Sequence, residues 1–166
     1  MRKSKNIAYN EEKDPVHLKR IERLISKIKD NLVWVFLIIG LGIGLIFVFS
    51  VPPWMHYDEP GHFEYAWLIA NRPGLPEEGE YDQDMRRELV LSMIEHRFED
   101  YTGIRMNPDP VGDEPINILY PQTDDQPLYY FLISLPLRLV KGLSITKQLY
   151  VARLTSLAIF LFTIFI

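Results

Sequence analysis

Tyr57-Asp58-Glu59-Pro60-Gly61-His62 sets two adjacent carboxylates four residues or fewer from a histidine, and His56 precedes them. An ionised carboxylate within hydrogen-bond reach of a hydroxyl can take its proton, and a second carboxylate alongside strengthens its hold on that proton. The same side chains allow a different chemistry. His56, Asp58, Glu59 and His62 could supply ligands to a divalent metal, with Glu59 and His62 sharing a helix face. The bland alternative is that Asp58 or Glu59 only caps a helix that Pro60 helps to start. That helix is predicted over 59–71, stopped by Arg72-Pro73-Gly74.

The elements that must position these residues begin with Leu32–Pro53, twenty-two residues without a charge. About twenty apolar residues suffice to cross a hydrocarbon core of roughly 30 Å, so 32–53 is predicted to be transmembrane helix one, an uncleaved signal anchor. Gly40, Gly42 and Gly44 give it one smooth flank, although a spacing of two is a poor helix-packing pattern. Before it, residues 1–13 read as a loose tail. Asp14-Pro15 then starts an amphipathic helix with Leu18, Ile21, Leu24, Ile25 and Ile28 on one face and Lys19, Arg20, Arg23 and Lys27 on others. Such a helix is expected to lie along an anionic cytoplasmic surface.

Charge is segregated along the chain. Nine basic and five acidic residues fall in 1–31, five and seventeen in 54–126, and four basic residues in 138–153, giving +4, −12 and +4 and a total of −4. The basic flank places residues 1–31 in the cytoplasm and 54–126 outside. There are no cysteines, which excludes disulfides, thiolate nucleophiles and cysteine-ligated zinc. No nucleic-acid-binding pattern, glycine-rich phosphate loop or serine nucleophile motif is present.

Within 54–126 a second helix is predicted over 82–99, with Met85, Leu89, Met93 and His96 on one face, and an irregular loop over 107–115. The two helices either lie in the outer interface or form a small cap domain. Residues 127–141 read as transmembrane helix two, kinked at Pro136, with Arg138 and Lys141 reaching the inner boundary. A cytoplasmic turn over 142–147 leads to transmembrane helix three over 148–166, an incomplete span that marks the chain as the N-terminal piece of a longer polytopic protein. Arg153 would snorkel to the cytoplasmic end of that span. The expected architecture is an all-α polytopic membrane protein of three spans, the third truncated, with a long helical extracytoplasmic loop.

Tyr-Asp-Glu-Pro-Gly-His-Phe-Glu-Tyr-Ala at 57–66, Gln-Pro-Leu-Tyr-Tyr at 126–130 and Ala-Arg-Leu-Thr-Ser-Leu at 152–157 together resemble the start of a GT-C-type membrane glycosyltransferase. The relatives closest in pattern are the protein O-mannosyltransferase and aminoarabinose transferase group. The resemblance covers about residues 32–166, and the chain has Gln126-Pro127-Leu128 where many relatives have His-Pro-Pro-Leu. It implies an inverting transfer of a sugar from a polyprenyl-phosphate donor to a glycan, lipid or protein hydroxyl at the outer face of the cell membrane. It further implies Asp58 as general base, Glu59 positioning the acceptor or the helix, and His62, Gln126 and Tyr129 at the substrate. Arg72, Arg86, Arg87, Arg97 and Arg105 are the only cations in the outer segment, too few for a donor-phosphate site, so residues 1–166 alone are expected to be inactive. The rival classes are a metal-binding membrane protein and a non-enzymatic one whose acidic loop binds a partner.

Overall fold

A computed structural model describes residues 15–112 and 114–166, and the tail expected over 1–13 lies outside them, as does the Asp14 cap. From Val16 to Ile39 the sequence has neither proline nor glycine, and nothing interrupts the hydrogen-bond ladder. The basic amphipathic segment and the apolar run therefore fuse into one helix, α1, Pro15–Ser50. At 1.5 Å per residue it is a rod about 54 Å long, not a surface helix followed by a separate span. Val51-Pro52-Pro53 ends it.

The chain then enters a helical head. α2 is Glu59–Asn71, α3 is Gln83–Glu95, α4 is Phe98–Thr102 and α5 is Pro127–Leu137. The helix expected over 82–99 is thus broken. Arg97 adopts a left-handed backbone conformation (φ 61°), which no α-helix accommodates, and splits α4 from α3. Asp82 caps α3 by accepting the Met85 N–H. Burial pushes the Asp82 carboxyl up, but that bond and the Arg72 guanidinium outweigh it and hold the group below its ordinary range.

One core joins these helices. Phe63, Ala66 and Ile69 of α2, Met85, Leu89, Val90 and Met93 of α3, Phe98 of α4 and Ile116 and Ile118 of the long loop pack with Tyr130, Ile133 and Leu137 of α5. Burying each large side chain contributes about 1.5–3 kcal/mol. Glu64 is buried on the same helix and accepts two bonds from Arg86 at 2.5 and 2.9 Å, while Arg86 also donates to the Ile116 carbonyl. Burial raises the Glu64 carboxyl above its ordinary value and the Arg86 hydrogen bonds oppose the rise. Gly61 lets the loop close on α2, because a Cβ there would lie 1.8 Å from the Tyr120 carbonyl oxygen.

The last helix, α6, is Ile145–Phe165. It lies antiparallel to α1: Gly40 faces Phe160 and Ile164, Gly44 faces Leu157, and Arg153 reaches Val48 and Val51. The glycines that meet α6 are thus 40 and 44, four apart, whereas Gly42 touches nothing. Small residues at that spacing allow close approach of two helices.

Among the described residues two helices are long and apolar enough to cross a membrane, α1 and α6, and α5, expected as a further span, is not one of them. α5 has eleven residues, a rise of about 16 Å against roughly 30 Å of hydrocarbon. It packs on α2 instead, and Arg138, expected at an inner boundary, donates to the Ile69 carbonyl in the last turn of α2. Pro136 falls in the final turn of α5 and kinks no span. The turn expected over 142–147 packs on the head: Ile145 lies in the core with Trp54 and Met93, and Thr146 Oγ1 is 2.8 Å from Ser92 Oγ.

Candidate active site at the junction of head and hairpin

Where α1 ends, the chain turns through Trp54, which is fully buried and holds φ at 67°. A left-handed conformation is strained for a bulky residue and persists only where its surroundings impose it. Here Trp54 N–H donates to Glu59 Oε2 at 2.8 Å and Trp54 Nε1–H to Ser92 Oγ at 2.9 Å. The turn delivers Glu59 to the first position of α2, beneath α6.

Arg153 comes down from α6 to meet it. Its Nε and Nη2 donate to the two Glu59 oxygens at 2.7 and 2.8 Å. Nη1 donates to the carbonyls of Val48 and Val51 at 3.2 and 2.7 Å, and Nη2 to that of Pro52 at 3.0 Å. A guanidinium has five N–H donors, and all five are used. Arg153, expected to snorkel to the N-terminal end of its helix, is thus engaged on α1 and α2 instead. It caps the last carbonyls of α1, where a cation is favoured, and ties α1, α2 and α6 together through Glu59.

Asp58, the neighbour, is placed differently. It makes no capping hydrogen bond to the backbone of α2, and its own backbone is helical in conformation, which removes the geometry an N-cap side chain needs. The expected cap is therefore absent. The carboxylate is 57% exposed and its nearest polar partner is His62 Nε2 at 3.3 Å, one turn along the helix. Glu59 and Asp58 are consecutive, yet one is engaged on both oxygens and the other faces open space.

His62 leads into a second set. Its Nδ1 is 2.7 Å from Tyr130 Oη, the rings stack at 5.8 Å, and Tyr130 Oη–H donates to Asp125 Oδ2 at 2.6 Å. Burial first, then the bond to Asp125, raises the Tyr130 phenol above its ordinary value, so it keeps its proton near neutrality. Tyr65 packs on the same ring, and its hydroxyl donates to the Asp125 carbonyl at 3.3 Å.

Of the residues expected at the substrate, His62 and Tyr129 come together with the acidic pair. Tyr129 Oη is 2.7 Å from Ser156 Oγ, and both line a small recess with Glu59, His62 and Arg153. Gln126 precedes the first turn of α5 without a side-chain capping bond and, among the described residues, its side chain takes no part in these contacts. The residue pattern assigns no role to Trp54, Asp125, Tyr130 or Ser156. Tyr130 and Ser156 do lie in the stretches at 126–130 and 152–157 that carry the resemblance, whereas Asp125 has no such signal. No three His, Asp or Glu side chains gather as metal ligands among the described residues, since Glu59 turns to Arg153 and His62 to Tyr130.

A cleft of about 320 Å³ adjoins the Glu59–Arg153 pair and runs down between α1 and α6. Gly44, Phe47, Val48, Leu157 and Phe160 form its apolar wall, and His56, Glu59, Arg153 and Ser156 its polar end. No protein-family model, curated protein sequence or solved structure matches this chain.

Proposed function

We propose that this chain provides the hydroxyl-activating part of a membrane glycosyltransferase, which moves a sugar from a polyprenyl-phosphate donor to an acceptor hydroxyl. In this reading α1 and α6 cross the cell membrane, the basic N-terminal part of α1 faces the cytoplasm, and the head, including the turn over 142–147, is extracytoplasmic. The basic residues over 1–31, five of them in the N-terminal part of α1, and the −12 balance of 54–126 support that orientation.

The observation that carries the chemistry is the division within the acidic pair. Glu59 is locked by Arg153 and Trp54, while Asp58 stands exposed at the head of the helical hairpin with a histidine behind it. An exposed carboxylate held on a fixed helix start can take a proton from an attacking hydroxyl. Phosphate leaves with its electron pair and needs charge neutralisation, which Arg153 cannot supply because its donors are occupied. The apolar cleft between α1 and α6 has the chemistry to hold part of a prenyl chain, with its polar end beside Glu59.

The test is sugar transfer in membranes of the producing cell, supplied with a panel of radiolabelled polyprenyl-phosphate sugars. Asp58→Asn should lower turnover on the order of 100-fold at unchanged protein level, the lower end of general-base contributions. Unchanged transfer by Asp58→Asn removes the residue from the mechanism.

A further inference from the structure

The chain of contacts from Asp58 through His62 and Tyr130 to Asp125 has a direction that the hydrogen positions determine. The Tyr130 hydroxyl donates its hydrogen bond to the Asp125 carboxylate at 2.6 Å, so its oxygen can only accept from the other side. His62 Nδ1, 2.7 Å away, must then carry hydrogen and donate it. In a neutral imidazole this leaves Nε2 as a bare lone pair. That lone pair faces Asp58 Oδ2 at 3.3 Å. Two acceptors pointed at each other have room for one proton between them.

We infer that His62 is the proton acceptor behind Asp58, and that Asp125, acting through Tyr130, is the positioning residue that holds it in the tautomer able to take that proton. The inference rests on the transferase reading and deepens it. As the acceptor oxygen bonds to the anomeric carbon, the sugar–phosphate bond breaks and the lipid phosphate departs with its electrons. The hydroxyl proton passes to Asp58, then to the Nε2 lone pair, giving an imidazolium. From there it leaves to water, because the His62 side chain is 38% exposed. Asp58 is thereby returned to its ionised form without itself releasing a proton to solvent. The groups facing His62 are Asp58 from its own helix, Tyr130 from α5 and, through Tyr130, Asp125; Tyr129 and the Glu59–Arg153 pair line the same recess.

The reversed tautomer, with hydrogen on Nε2, would donate to Asp58 and could not accept from it. The position of Asp125, two contacts away, decides between the two. The test is nitrogen-15 NMR of the histidine rings in the 166-residue chain held in lipid nanodiscs, with His62→Gln identifying the His62 signals. Wild-type His62 should carry its neutral proton on Nδ1. Asp125→Ala frees the Tyr130 hydroxyl to donate to Nδ1, and the population should invert by about tenfold toward Nε2–H, the worth of one hydrogen bond. Tyr130→Phe, which removes the only acceptor at Nδ1, should invert it in the same sense. Asp125 is exposed, so its removal spares the core. An Nε2–H tautomer in the wild type, or no inversion in Asp125→Ala, overturns the inference. No sugar donor enters the measurement, so its failure is separate from a failure to find sugar transfer.

Discussion

Glu59 and Arg153, ninety-four residues apart, form a two-point ion pair at 2.7 and 2.8 Å where the head meets the hairpin. The guanidinium is 11% exposed and the carboxylate 15%, so the pair is largely shielded from water and salt. Removing one partner of such a pair leaves the other charge stranded, which is the costly outcome.

Arg153→Met should therefore destabilise the fold by about 3–5 kcal/mol, and it should loosen α1 from α6 as well, because the carbonyls of Val48, Val51 and Pro52 lose their donor. Arg153→Lys should recover little, since an ammonium cannot serve two carboxylate oxygens and three carbonyls at once. Thermal unfolding in detergent, followed by circular dichroism, measures both. A melting temperature for Arg153→Met equal to the wild type would refute the tie.

The antiparallel course of α1 and α6 predicts that residues 111 and 144 share a side of the membrane. The chain has no cysteine, so single substitutions report cleanly. Val111→Cys and Ser144→Cys, both at exposed positions, should react with an impermeant thiol reagent in intact cells, and Lys19→Cys only after the cells are opened. Protection of Ser144→Cys alongside labelling of Val111→Cys would restore a crossing by α5.

Arg72 clasps the loop between α2 and α3 by pairing with Glu80 at 2.5 Å and Asp82 at 3.0 Å. Both carboxyls lie below their ordinary values in the folded protein: Glu80 through the Glu77 N–H it accepts and then Arg72, and Asp82, against its burial, through the Met85 N–H and then Arg72. A depressed carboxyl stabilises the fold above its unfolded value, near pH 4, and the contribution is lost as pH falls through the folded value. Amide exchange over 73–82 should thus be flat from pH 7 to about 4, after correction for intrinsic rates, and quicken below it. The clasp is about one-third exposed, so the effect belongs to this loop and not to global stability. Quickening already between pH 7 and 5 would assign the protection to another group.

Gly61→Ala should be poorly tolerated. Its added methyl would meet the backbone oxygen of Tyr120, which cannot swing aside as a side chain can. A cost of about 1–3 kcal/mol is expected from the forced shift, with easier proteolysis of the 114–125 loop. Equal proteolytic half-lives for the variant and the wild type would show that the loop closes without that contact.

From the sequence alone came the features that depend on neighbours within a turn or two. The uncharged run after residue 31 required an apolar helix long enough for a membrane, Pro60 and the Arg72-Pro73-Gly74 stop bounded α2, and the periodicity of Met85, Leu89 and Met93 marked the buried face of α3. The segregation of charge was equally plain. What local pattern could not distinguish was α5 from a membrane span, because a helix buried in a protein core and one buried in lipid are apolar for the same reason. Length favoured the core, and packing against α2 decided it. The direction of α6 followed from that placement, and with it the destination of Arg153. Asp58 and Glu59 are indistinguishable as residue types at the start of one helix. Their separation into an anchored carboxylate and an exposed one arises only when α6 brings a guanidinium to one of them, since a pairing across ninety-four residues is set by how helices pack and leaves no periodic trace along the chain.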